Sequence, residues 1–99
     1  MREAIEKILK NYVFRDSKLP YFEIEMGEDL ETGRTFYWVK TIIPKDHEVF
    51  KSEERQEEIR GRMRTALTML GFSRVQPHSI FSNDDEVYIS VSGELNTNH

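Results

Sequence analysis

The segment 34–43 constrains the fold most, because it reads as an extended strand that is apolar on both faces. Its large apolar residues are Phe36, Tyr37, Trp38, Val39, Ile42 and Ile43. Such a strand is usually central in a sheet and covered at least partly on both sides. Pro44, which cannot donate to a ladder, ends it. The rest of the chain must therefore supply neighbouring strands and a covering layer.

Two hairpins supply the strands. Residues 21–28 alternate between apolar and polar side chains, and a turn at 29–33 connects them to 34–43, with Gly33 available for a positive φ. The second hairpin joins 73–81 to 86–92. Pro77 cannot donate to a ladder, so the strand 73–81 belongs at the sheet edge or is broken there.

Two helices supply the covering layer. Residues 3–13 carry one apolar stripe at helical spacing, formed by Ile5, Ile8, Leu9, Tyr12 and Val13. A longer helix is predicted from Ser52, a suitable N-cap, to Leu70, with Gly71 as the C-terminal cap. Its buried stripe is predicted to be Ile59, Met63, Ala66, Leu67 and Leu70.

The element order α-β-β-α-β-β predicts an α+β fold, a two-layer sandwich with two helices packed on one face of a four-stranded antiparallel sheet. If Pro77 marks one edge, the strand order is third, fourth, second, first. The 99 residues fit one domain, 1–95, followed by a frayed tail at 96–99. The helix-facing side of the sheet is predicted to hold Phe22, Ile24, Met26, Phe36, Trp38, Ile42, Val87, Ile89 and Val91.

The opposite side of the sheet is predicted to bind a partner, because monomers rarely leave large apolar patches bare. The partner-binding residues are predicted to be Tyr21, Glu23, Glu25, Tyr37, Val39 and Tyr88, with Ile43 on the same face. The simplest partner is a second copy, which would give a two-fold homodimer. Two alternatives stay open. In the first, the patch has no binding role and only reflects the preference of tyrosine and valine for strands. In the second, the aromatic side chains stack on nucleic-acid bases, which Glu23 and Glu25 disfavour because they repel phosphate.

Charge narrows the class of partner. The chain has 14 basic and 18 acidic residues, a net charge of -4 and a pI of about 5.4, so a general nucleic-acid binder is not expected. Five acids and no base lie in 19–33: Glu23, Glu25, Glu28, Asp29 and Glu31. They could attract a basic protein, or they could form a solvated hairpin that discourages edge pairing.

Other candidate sites carry weaker signals. Arg60, Arg62, Arg64 and Arg74 could contact RNA, but they do not converge on one helix face. His47, between Asp46 and Glu48, could be an oriented base, and His78 with Asp84, Asp85 or Glu86 could hold a metal ion. Loop composition alone explains the first group, and the spacing of the second is not diagnostic of a metal site. No cofactor and no metal are predicted, and the chain has no cysteine.

These observations predict a small, cytoplasmic, acidic protein that binds another protein and modulates it sterically and electrostatically. Inhibitors, immunity proteins, antitoxins and phage host-takeover factors are the class in view, by analogy of size and charge. The main alternative is a small dimeric enzyme or ligand-binding domain with a site at the subunit boundary. A second alternative is an RNA-contacting accessory domain. The pattern favours a protein without catalysis and without a membrane segment.

Overall fold

The computed structural model describes residues 1–95 and has two helices and five strands. In chain order the elements are α1 (Arg2–Ile8) with a π-helical continuation (Leu9–Val13), β1 (Tyr21–Glu28), β2 (Thr35–Pro44), α2 (Glu53–Met69), β3 (Ser73–Pro77), β4 (Phe81–Ser82) and β5 (Glu86–Leu95). The predicted α+β arrangement, with both helices on the sheet, is confirmed. Within this part of the chain, no helix has the length and apolarity needed to cross a bilayer.

The sheet is antiparallel, in the order β1-β2-β5-β3, and the two-residue β4 also pairs with β5. This is the predicted strand order. The predicted strand 73–81 is broken after Pro77 into β3 and β4, and β5 continues past the predicted end to Leu95. The predicted frayed tail, 96–99, lies outside the described residues.

The first helix buries its predicted stripe through Ile5, Leu9 and Val13. Its last turn widens to a π-helix, in which the Phe14 amide donates to the Leu9 carbonyl at 2.8 Å. One extra residue in this turn brings Phe14, one position beyond the predicted helix, into the core as well.

The second helix begins and ends as predicted. The Ser52 hydroxyl accepts a hydrogen bond from the Arg55 amide at 3.2 Å, and Gly71 has a φ of 93° after the last turn. The buried side chains of α2 are Gln56, which donates to the Val49 and Phe50 carbonyls, and the predicted Ile59, Met63, Ala66 and Leu67. These side chains and those of α1 cover one face of the sheet.

The prediction of which side of β2 faces the helices is wrong. Val39 is 1% exposed, whereas Trp38 is 40% exposed. The correction applies to the whole strand: the helix-facing residues are Tyr37, Val39, Thr41 and Ile43, and the outward-facing residues are Phe36, Trp38, Lys40 and Ile42. The predicted inward positions Ile24, Val87, Ile89 and Val91 are confirmed as buried.

The length of the first hairpin loop explains the error. The Asp29 amide donates to the Arg34 carbonyl at 2.9 Å, and this bond closes a loop of four residues, 30–33. An even loop pairs Ile24 with Val39, so even positions of β1 and odd positions of β2 share a face. The predicted faces require a loop with an odd number of residues. Because a shift of one residue moves every side chain of a strand to the other side of the sheet, the observed even number reverses the predicted faces of β2.

Two further residues depart from the predicted inner face. Ile42 points outward but stays 8% exposed, because Tyr21 and Tyr88 flank it on the neighbouring strands. Met26 has the predicted parity, yet it is 68% exposed near the hairpin end of β1. Burial therefore follows the neighbours of each position as well as its parity.

Candidate partner-binding face

The sheet side that the helices leave uncovered is called the outer face here. It carries four of the six predicted partner-binding residues: Tyr21, Glu23, Glu25 and Tyr88. The other two lie on the helix side. The Tyr37 ring packs edge-on against Phe72, with centroids 5.4 Å apart, and Val39 lies in the core. Neither can contact a partner through the outer face.

Phe36 and Trp38, which are predicted to lie in the core, lie on the outer face instead. They occupy successive outward positions of β2, which lies between β1 and β5. They are 39% and 40% exposed. The signal that could have found them is the even length of the hairpin loop. The sheet therefore presents two large aromatic side chains at its centre.

Trp38 is held in place by His78, the residue that directly follows β3. Its indole stacks on the His78 ring, with centroids 4.4 Å apart and planes inclined by 10°. The His78 Nε2 lies 2.8 Å from the Ser92 hydroxyl, and Arg60 donates to the His78 carbonyl at 2.9 Å. His78 thus supports the aromatic surface. Over residues 1–95, no three His, Asp or Glu side chains are grouped closely enough to hold a metal ion.

Phe36 lies across the cross-strand glycine. Gly27 is its partner in β1, and a Cβ atom at Gly27 would collide with the Phe36 ring. The absence of a side chain at this position lets the ring lie flat on the neighbouring backbone, a known way for aromatic residues to protect glycine in sheets.

A groove of about 390 Å³ runs beside these two rings towards β3. Its charged residues are Asp29, Arg34, Arg74 and Glu94. Glu94 pairs with Arg34 at 3.2 Å and with Arg74 at 3.8 Å. Two bases and two acids leave the groove without formal net charge. Arg74 reaches Glu94 from a backbone in the left-handed region, with a φ of 50°, at an irregularity in the β3 register.

A smaller pocket of about 190 Å³ lies on the other side of Trp38. It is called the Glu25 pocket here, and it is lined by Glu23, Glu25, Trp38, Lys40 and Ser90. Lys40 pairs with Glu23 at 3.3 Å, and its ammonium also lies 5.9 Å from the centre of the Tyr88 ring. Within the described chain, Glu25 has no cation at ion-pair distance.

The far end of the outer face is aromatic as well. Phe81 of β4 packs against Tyr88, with ring centroids 5.8 Å apart. The Tyr88 hydroxyl donates to the Glu86 carboxylate at 2.7 Å. This hydrogen bond, together with partial burial and the negative charge of Glu86, raises the pKa of Tyr88 above its ordinary value.

The loop histidine, His47, has a structural role. Its Nδ1 accepts from the Val49 amide at 3.1 Å, which leaves the proton of the neutral ring on Nε2, 2.6 Å from the Lys18 carbonyl. His47 therefore ties the loop before α2 to the connector before β1. Neither Asp46 nor Glu48 is hydrogen-bonded to its ring in the described residues.

Three of the four arginines that are candidates for RNA contact are paired with acids. Arg60 pairs with Glu57 at 2.7 Å and Arg62 with Glu58 at 2.6 Å, both within α2. Arg74 pairs with Glu94, in the groove already described. These pairs lie along α2 and at β3, so they offer no single basic surface.

Comparison with protein-family models, with curated proteins and with solved structures finds no match to this chain.

Proposed function

We propose that this protein is a small acidic modulator that docks its outer face onto a basic protein partner and blocks or adapts that partner. The observation that supports this most is the pair Phe36 and Trp38, half-exposed on a central strand, on the face that no helix covers. Inhibitors, immunity proteins, antitoxins and phage host-takeover factors work in this steric way. The absence of cysteine accords with action in the cytoplasm.

The aromatic content of the outer face supports a protein interface. Tyr21 and Phe81 are more than 60% exposed, and Trp38 and Phe36 about 40%. Tryptophan and tyrosine are enriched among the residues that contribute most to binding between proteins, because they combine large apolar area with few rotatable bonds. An exposed row of such residues costs solubility, and a partner that covers it removes that cost.

The charge around this face supports a basic partner. Of the five acids in 19–33, only Glu23 has an ion-pair partner within the described chain. Glu25 is exposed in β1, Glu28 at its end and Glu31 in the loop, so negative charge runs along one edge of the sheet. Uncompensated charge of one sign steers an oppositely charged partner and rejects a like-charged one.

The same acids favour a foreign partner over a second copy. A two-fold contact through the outer face would place two copies of the same acidic face against each other. Like charges that face each other across an interface destabilise it. A homodimer through this face stays a prediction from the sequence, and sedimentation at high micromolar concentration tests it.

Affinity capture with matched variants tests the proposal. We expect the wild type to recover one protein at equal stoichiometry. The control Thr65→Lys, which adds a lysine on the exposed side of α2, should recover the same protein. Trp38→Lys should lose that protein while staying folded. The captured protein is then purified and the complex rebuilt from two components. Binding that survives Trp38→Lys, or recovery of RNA in place of protein, would overturn the proposal.

The groove beside β3 supports a second candidate function, the binding of a small molecule. Its volume of about 390 Å³ lies within the roughly 300–1,000 Å³ of ligand clefts. This candidate ranks second because both arginines of the groove already pair with Glu94. Native mass spectrometry of the purified protein tests it: a bound small molecule that is lost in Arg34→Ala would favour the ligand-binding function.

A further inference from the structure

We propose that the Glu25 pocket receives the side chain of an arginine from the protein partner. This inference rests on the proposed function and specifies it: it names the chemical group that the outer face recognises. The site lies on two adjacent rungs of the sheet. One rung pairs Glu23 with Lys40 and Lys40 with Ser90, and the next pairs Glu25 with Trp38.

The charge of the pocket selects a cation. Two carboxylates and one ammonium line it, which leaves one negative charge. Lys40 is drawn towards Glu23 on its own rung and towards the Tyr88 ring. The Glu25 carboxylate, one rung away, stays without a cation among residues 1–95. A single positive group from outside would make the pocket neutral.

The floor of the pocket offers a hydrogen-bond acceptor. Ser90 is 8% exposed and lines the pocket, and its hydroxyl makes no hydrogen bond within the described chain. The backbone carbonyl of Ser90 is used by the His78 amide, at 3.0 Å, so only the side chain is available. This hydroxyl opens onto an acidic pocket, so it is suited to accept from a donor that enters from solvent.

The wall of the pocket favours arginine. The Trp38 indole is fixed by its stack on His78, and it still presents 40% of its surface. A guanidinium stacks on an indole, binds a carboxylate through paired N–H groups and has donors left for a hydroxyl. The volume of about 190 Å³ is below that of most small-molecule clefts, and it suits one side chain.

The experiment compares acetyl-Gly-Arg-Gly-amide with the same peptide carrying citrulline, which has the shape of arginine without its charge. The chain has one tryptophan, so the single indole N–H resonance of the ¹⁵N-labelled protein reports on Trp38. We expect a saturable shift with the arginine peptide and at least about tenfold weaker binding of the citrulline peptide, because the cation–π and charge-assisted contacts are lost.

Matched variants locate the binding. Glu25→Gln should weaken the arginine peptide about fivefold or more, because it removes the charge that is not compensated. Glu31→Gln removes the same charge from the exposed loop of the same hairpin and should change binding less than about twofold. Equal binding of the two peptides, equal effects of the two variants, or no saturable shift would overturn the inference.

Failure of this inference can be distinguished from failure of the proposed function. If the purified partner loses binding with Trp38→Lys but keeps full affinity with Glu25→Gln, the outer face is the interface and the arginine pocket is wrong. If partner binding survives Trp38→Lys, the proposed function itself is wrong. If a free polyamine binds the pocket as tightly as the arginine peptide does, the site binds organic cations in solution. The proposal of a partner's arginine is then wrong.

Discussion

Substituting lysine at two adjacent positions of β2 tests the orientation of the strand, on which the candidate site depends. Trp38→Lys places the ammonium on the outer face, opposite Glu25, its cross-strand partner. Val39→Lys places the same group in the core, at a position that is 1% exposed. The two variants differ by one position in sequence and introduce the same side chain, so their difference in stability reports which side of the strand faces the helices.

The cost of Trp38→Lys follows from its partial burial. With 40% of the residue exposed, about three-fifths of its surface is buried. Full burial of an aromatic side chain removes roughly 150–250 Å² from water, so three-fifths corresponds to about 90–150 Å². At about 25 cal/mol per Å² the upper limit is about 2–4 kcal/mol. The aliphatic part of the new side chain and a compact unfolded state reduce the loss to about 1–2 kcal/mol.

The cost of Val39→Lys is larger. An ammonium without a partner in the core costs several kcal/mol even after relaxation, and the lost valine contacts add about 1.5–3 kcal/mol. The sum is comparable with the about 5–15 kcal/mol that stabilises a typical domain. We therefore expect Trp38→Lys to fold and Val39→Lys to be largely unfolded.

Urea unfolding followed by far-ultraviolet circular dichroism measures both variants, because Trp38→Lys removes the only tryptophan. Thr65→Lys serves as a control for the added charge. A wild-type midpoint for Val39→Lys together with an unfolded Trp38→Lys would refute the orientation of β2, and with it the candidate site.

Three further predictions concern α2 and Tyr88. Gly61→Ala should stabilise the protein by about 1 kcal/mol, measured as a rise in Tm, because Gly61 lies within α2 with open space around the missing Cβ; an unchanged or lower Tm would contradict this. Ser52→Ala should cost about 1 kcal/mol in urea unfolding, because the Arg55 amide loses its cap. The pKa of Tyr88 is raised, so the native state keeps this proton to higher pH than the unfolded chain, and stability should fall as pH rises above the ordinary value of 10.0. Glu86→Gln should lower this pKa, as followed by tyrosinate absorbance.

Much of the fold can be predicted from the sequence because helix signals are local. The α2 helix carries its own boundaries: a serine that caps the first turn, a glycine that ends the last, and an apolar stripe between them. The strand order was predictable for a similar reason, since Pro77 marks an edge wherever the strand lies. Such features do not depend on distant parts of the chain.

The site was harder to predict, because it depends on register. The candidate residues on β1 and β5, including Glu25 and Tyr88, were assigned to the correct face, since those strands alternate clearly. Those on β2 were not, because this strand carries large apolar residues at both parities. Two features distinguish Val39 from Trp38: the number of residues in the hairpin loop, which hydrophobic pattern does not specify, and the charge of Lys40, which shares the parity of Trp38.

The two apolar sides of β2 also affect how the chain reaches its native state. If β2 shifted by one residue, Phe36, Trp38 and Ile42 would face the helices, and this alternative hairpin would bury nearly as much apolar surface as the native one. Such near-equal pairings are a source of frustration during folding. Lys40 separates them: it faces solvent and Glu23 in the native register, and it would enter the core in the shifted one. The one charged residue of β2 thus disfavours a competing compact state, and Lys40→Ile would allow that state to accumulate as a kinetic trap during refolding.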